Sequence, residues 1–202
     1  MKVAVGIPSF MEADSIPYVT RQVDEGLSGM FNPADCVIIN ADGASPDQTS
    51  RVFLETPTKC GKEALVVTEQ PGGKGRNLLR VLEHCAEREV GALAVVDADL
   101  KSITPDWMAW LLTPVARGAA DYVLPLYRRR RFDGTVTNHF AYPLLYGYFG
   151  RDWRQPIGGE FAMSGEFANH LLRQRVEDAV YGYGITTRAR SQHQGDHLLD
   201  RE

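Results

Sequence analysis

Short apolar runs, each closed by turn-forming residues, alternate in this chain with longer stretches whose apolar positions recur every three to four residues. Lys2–Ile7 reads as a first strand that stops at Pro8-Ser9. Asp14 or Ser15 is then placed to cap a helix that has Pro17 in its first turn and runs to about Gly29. Cys36–Ile39 is β-branched and ends in Asn40-Ala41-Asp42-Gly43, with a short helix expected from Asp47 through Leu54. Ala64–Thr68 predicts a third strand. The loop Pro71-Gly72-Gly73-Lys74-Gly75 follows it, and then a helix from Asn77 to Arg88 with Leu78, Leu79, Leu82 and Cys85 on one face. Gly91–Val96 is a fourth strand, ending in Asp97-Ala98-Asp99. A helix over Asp106–Val115 and a fifth strand over Tyr122–Leu126 come next. Beyond Arg131 the pattern weakens: His139–Phe149 reads as helix despite Pro143, Gln155–Glu160 as a loop, and Phe161–Met163 as a short run before another helix.

Apolar strands separated by helices of this length predict an α/β domain with a mostly parallel central sheet flanked by helices. Such sheets bind ligands beyond the carboxyl ends of their strands. Here those ends carry Ser9, Asp42, Gly72–Gly75 and the Asp97/Asp99 pair, so the polar and flexible residues are expected on one rim. The length of 202 residues suits a single core. A net charge of −4 gives no global attraction to nucleic acid or anionic membrane, so a phosphate-bearing partner needs a local site. No apolar run reaches the roughly 20 residues of a membrane span, and Pro8 interrupts the N-terminus too early for a signal peptide's apolar region. Three widely spaced cysteines, Cys36, Cys60 and Cys85, suit reduced packing thiols, and the expected location is cytoplasmic.

Asp97 and Asp99 point to the same side of an extended backbone, and two hard carboxylates there suit a Mg²⁺ or Mn²⁺ that also takes diphosphate oxygens. Acidic residues also end strands and cap turns for purely structural reasons. Gly72–Arg76 opens a helix and offers backbone N–H groups, the helix dipole and two cations to an anion. It is neither a Walker A loop nor a dinucleotide fingerprint. Glu12 and Asp42 each have an ordinary loop reading by themselves; their joint placement with Lys74, Asp97 and Asp99 on one rim is what calls for a ligand. Arg128–Arg131 is the densest charge cluster, a solvated loop or an anion contact. Thr135, Thr137, Asn138 and His139 beyond it are potential hydrogen-bond donors.

The segments "IPSFMEADSI", "NADGASPDQT", "PGGKGRNL", "VVDADLKSITPDW" and "RQPIGGEFAMS" resemble nucleotide-sugar glycosyltransferases of the GT-A fold, family 2-like, across about residues 3 to 184. The resemblance is greatest to the retaining group that contains glucosyl-3-phosphoglycerate synthase and mannosylglycerate synthase. It implies that Pro8, Glu12 and Asp42 lie at the base and ribose of a UDP- or GDP-linked sugar, and that Gly73 and Lys74 lie against its diphosphate. Asp99, supported by Asp97, would hold the metal. Ile157 and Glu160, with Gly158 and Gly159 between them, would line the sugar pocket under the anomeric carbon. Arg128, Arg131, Thr137 and Asn138 would lie near a small anionic acceptor such as glycerate or 3-phosphoglycerate.

The same resemblance implies a late histidine as a further metal ligand. Residues 186–202 depart from the family pattern, and the Ser191–Asp196 segment around His193, like His197, is unlike the family's histidine segment. The expectation is therefore a glycosyltransferase domain over residues 1–185 and an atypical, disordered or truncated polar tail. Such a chain should bind nucleoside diphosphate but transfer hexose slowly or not at all. A nucleotide-sugar-binding domain without turnover and a nucleotidyltransferase are the alternatives. A haloacid-dehalogenase-type phosphatase fits less well, because Lys101 stands where its hydroxyl residue would be. A homodimer remains open.

Overall fold

A computed structural model describes residues 1–69, 72–127, 134–150, 152 and 154–173. Arg128, Arg131, His193, His197 and the tail 186–202 lie outside the described residues, as does the expected domain boundary at 185.

Six strands form one sheet: β1 (Val3–Ser9), β2 (Cys36–Asp42), β3 (Gly61–Val66), β4 (Ala92–Val95), β5 (Tyr122–Val123) and β6 (Phe161–Ser164). Their order is β3-β2-β1-β4-β6-β5. The first four run parallel, as expected of strands joined by helical crossovers. All seven residues of β1 and all four of β4 are buried, which is why they read as unbroken apolar runs.

Side-chain alternation divides the core between the two faces of the sheet. Val3, Val5 and Ile7 of β1 pack with α1 (Ile16–Met30), α2 (Thr49–Glu55) and α4 (Asp106–Ala116), through residues such as Val19, Phe53 and Met108. Ala4 turns to the other face, toward Leu78 and Leu82 of α3 (Lys74–Glu87) and Phe167 of α6 (Gly165–Arg173). Gly6 shares that face. A Cβ on Gly6 would lie 2.6 Å from Val81 Cγ1, so the absent side chain lets α3 settle against β1.

Several elements differ from the sequence expectation. The third strand is Gly61–Val66 rather than Ala64–Thr68, because β3 is a sheet edge and tolerates the half-buried Lys62 and Glu63, which interrupt the apolar pattern. The fifth strand keeps only Tyr122–Val123, paired with β6 alone. The expected helix over His139–Phe149 is a π-helical segment, Val136–Ala141, followed by α5 (Tyr142–Phe149). Pro143 lacks an N–H and takes its place in the first turn of the second piece. The short run after Gln155–Glu160 is β6, which inserts antiparallel between β4 and β5. No helix among the described residues is long and apolar enough to cross a membrane.

Candidate functional site

In the order β3-β2-β1-β4, the crossover helices α1, leading to β2, and α3, leading to β4, pack on opposite faces of the sheet, which opens a crevice beyond the carboxyl ends of β1 and β4. Ser9 ends β1 and Asp42 ends β2 on this rim, next to each other in register. Both side chains are buried and joined: Ser9 Oγ donates to Asp42 Oδ1 at 3.1 Å. Ser45 holds the same carboxylate through its backbone N–H at 2.9 Å and its hydroxyl at 2.5 Å. Asn40 Nδ2 donates to Ser9 Oγ and to Ile7 O, and Asn77 Nδ2 of α3 donates to Ser9 O. The end of β2 and the turn to Ser45 are therefore tied to β1 and α3, and Pro8 is buried in β1 opposite Ala41 of β2.

Glu12 is half-buried just past β1. Its carboxylate accepts from Ser15 Oγ at 2.5 Å, and its backbone N–H donates to Thr49 Oγ1 at 2.9 Å. Ser15 occupies the expected cap position of α1, yet its side chain caps no helix N–H. The hydroxyl is committed to Glu12 instead.

The helix α3 starts at Lys74, three residues earlier than the periodicity predicts. Gly73 precedes it with φ of 134°, a conformation that disfavours any side chain. Lys74 is consequently the first helical residue, and its ammonium bonds to Asp97 Oδ1. The Lys74 and Asp97 side chains retain 21% and 28% exposure, so solvent reaches the pair. Asp99 is exposed and has no partner among the described residues.

The antiparallel strand β6 completes the rim. Phe161 stands opposite Val95, so the continued register sets Gly159 against Asp97. A Cβ on Gly159 would lie 2.1 Å from Asp97 Oδ2, so the carboxylate rests directly on the glycine. The adjacent Glu160 is 6% exposed and accepts the Tyr127 hydroxyl. Burial pushes the Glu160 carboxyl above its ordinary range; the Tyr127 bond opposes this shift and the Asp97 charge adds to it. Tyr127, which the sequence reading passed over, is carried past β5 and packs on Trp107 with ring centroids 5.8 Å apart. Its signal in the sequence was its place at the end of the fifth apolar run.

Lys74, Asp97, Gly159 and Glu160 thus meet, with Asp99 beside them in sequence. Ile157 is exposed on the same loop, and Gln155 Nε2 donates to its carbonyl at 2.7 Å. Thr137 is buried in the π-helical segment and Asn138 is half-buried, its N–H donating to Gly134 O. Among the described residues no three His, Cys, Asp or Glu side chains gather as a metal site. Asp97 and Asp99 nonetheless fit Mg²⁺ or Mn²⁺, which are commonly held by one or two carboxylates plus substrate phosphates.

The family model of glycosyl transferase family 2 matches residues 4–172. The chain belongs to glycosyl transferase family 2. A dolichol-phosphate mannosyltransferase of Pyrococcus furiosus is 25% identical to this family 2 chain over 179 residues, which cover 82% of the chain and 47% of that protein. The chain thus spans about half the length of that curated relative. Among solved structures, glucosyl-3-phosphoglycerate synthase from Mycobacterium tuberculosis in complex with Mn²⁺, uridine diphosphate and glucosyl-3-phosphoglycerate matches with a TM-score of 0.77 and 22% identity, covering 98% of this chain and 67% of that one. Its complex with Mn²⁺, uridine diphosphate and phosphoglyceric acid matches at 0.74 and 23%, covering 95% and 63%. The shared architecture is the GT-A fold.

Proposed function

We propose that this family 2 chain binds a UDP- or GDP-linked hexose at the β1/β4 crevice and transfers the sugar, with retention, to a small anionic acceptor such as glycerate or 3-phosphoglycerate. The meeting of Lys74, Asp97, Gly159 and Glu160 at one switch point carries this reading: a helix start bearing a lysine, the Asp97 carboxylate and a glycine on the facing strand end adjoin each other. The M. tuberculosis enzyme, crystallised with Mn²⁺, UDP-glucose and glycerol 3-phosphate on the same fold, supports the substrate classes.

In this reading Glu12 and Asp42 receive the base and ribose on the turns after β1 and β2. The backbone at Gly73 and the Lys74 ammonium receive the diphosphate and offset the charge that builds on it as the sugar–phosphate bond breaks. Asp97 and Asp99 would hold Mg²⁺ or Mn²⁺, which when bound supplies further charge neutralisation at the diphosphate. Ile157 and Glu160 line the sugar. Glu160 is buried and bonded to Tyr127, which suits holding sugar hydroxyls better than attacking the anomeric carbon. As the family resemblance implies, the acceptor hydroxyl in this reading loses its proton to the departing phosphate, on the face the phosphate leaves. Thr137 and Asn138, with Arg128 and Arg131, take the acceptor's anionic end.

Titration calorimetry with a panel of UDP- and GDP-sugars, with and without Mn²⁺, tests the donor site. Release of nucleoside diphosphate on adding glycerate or 3-phosphoglycerate tests transfer. Binding strengthened by Mn²⁺ for one nucleotide series is the expected result. No nucleotide binding in either condition would overturn the reading.

A further inference from the structure

We propose that Lys74 and a divalent cation compete for the Asp97 carboxylate, so that the donor diphosphate opens the cation site by drawing Lys74 away. The inference rests on the donor-site reading above and assigns Lys74 a second role, as the cation that closes Asp97 until nucleotide arrives.

The Lys74 ammonium sits on Asp97 Oδ1, while Oδ2 lies against the Gly159 backbone. Lys74 thereby offsets the Asp97 charge and occupies Oδ1, and Asp99 is left as an exposed carboxylate without a partner among the described residues. One exposed carboxylate with water is a poor site for a cation that dehydrates reluctantly. Lys74 is anchored at the first position of α3, behind the positive-φ backbone of Gly73, so its flexible stem pivots about a fixed base. A diphosphate at that helix start offers the ammonium more negative charge than one carboxylate does. Transfer of Lys74 to the phosphate frees Oδ1 next to the phosphate oxygens that complete a coordination shell. Because coupling is reciprocal, nucleotide raises metal affinity by the same factor as metal raises nucleotide affinity.

The test is Mn²⁺ binding to the nucleotide-free full chain, read from the electron paramagnetic resonance signal of free Mn²⁺, for wild type, Lys74→Met, Lys74→Gln and Lys74→Arg. Removing the competing cation should raise Mn²⁺ affinity roughly five- to tenfold in the Met and Gln variants, in line with a partly exposed charge-assisted bond. Lys74→Arg should stay at the wild-type value. The same Met and Gln variants should bind UDP more weakly in EDTA, with uridine little affected, so that metal and nucleotide affinities move in opposite directions. Equal or weaker Mn²⁺ binding by both neutral variants overturns the competition, including the case in which neither binds at all. If wild type still shows Mn²⁺-dependent UDP binding in that case, only the competition fails; if it binds no UDP, the donor-site reading fails with it.

Discussion

Asp99 is the exposed partner of the carboxylate pair and makes no intramolecular bond among the described residues, so its removal leaves no orphaned group. Asp99→Ala is expected to keep the wild-type melting temperature and to abolish the gain in nucleotide affinity on adding Mn²⁺. Isothermal titration with UDP or GDP in Mn²⁺ and in EDTA measures this, and an undiminished gain would exclude Asp99 from the cation site. Gly159 is constrained differently, since its missing side chain is the space Asp97 occupies. Gly159→Ala drives a methyl into that carboxylate, which must turn away. The Mn²⁺-dependent part of nucleotide binding should fall at least tenfold, while affinity in EDTA changes little; equal losses in both conditions would point to a general collapse of the loop.

Between elements, the decisive contact is α3 on β1, because it sets the helix start against the strand ends. Gly6 and Val81 meet at that contact, and a Cβ at Gly6 would be 2.6 Å from Val81 Cγ1. Gly6→Ala is expected to destabilise the fold by about 1–3 kcal/mol through overpacking. Val81→Ala restores the space, so the double variant should be more stable than the sum of the two single changes predicts. Denaturant midpoints for the four proteins of the cycle decide the point, and strict additivity would mean that α3 is held away from the sheet.

Across the whole molecule the three thiols report on global unfolding. Cys36 and Cys60 lie in the core shared with α1 and α2, and Cys85, on α3, lies in the core shared with α6. All three are buried and free. Burial raises each thiol pKa, that of Cys85 to about 12. An unfolded cysteine ionises near 8.5, so between that pH and the folded value the unfolded state sheds protons the native state retains, and stability falls as pH rises. Two outcomes are expected. Iodoacetamide at pH 8 should label none of the three in native protein and all three in denaturant, and the melting temperature should decline steadily above about pH 9. Fast labelling of native protein would place the thiols at the surface.

The amino-acid sequence by itself determined the alternation of strand and helix, a mostly parallel sheet and the placing of Ser9, Asp42, Lys74 and Asp97 at or just beyond strand ends. Each of these depends on local patterns: unbroken apolar runs for the buried strands β1 and β4, a 3.6-residue period for α3, and turn residues after each strand. Edge and antiparallel elements left weaker marks. Lys62 and Glu63 hid the start of β3, because an edge strand has no need of apolar residues on both faces. Only the tertiary structure decided that β6 inserts between β4 and β5, since pairing register is a long-range property. That insertion presses Gly159 onto Asp97, and the same fold seats Glu160 under Tyr127. The Lys74–Asp97 bond joins residues 23 positions apart in the chain. No local pattern encodes which carboxylate the ammonium will choose; the packing of α3 against the sheet does.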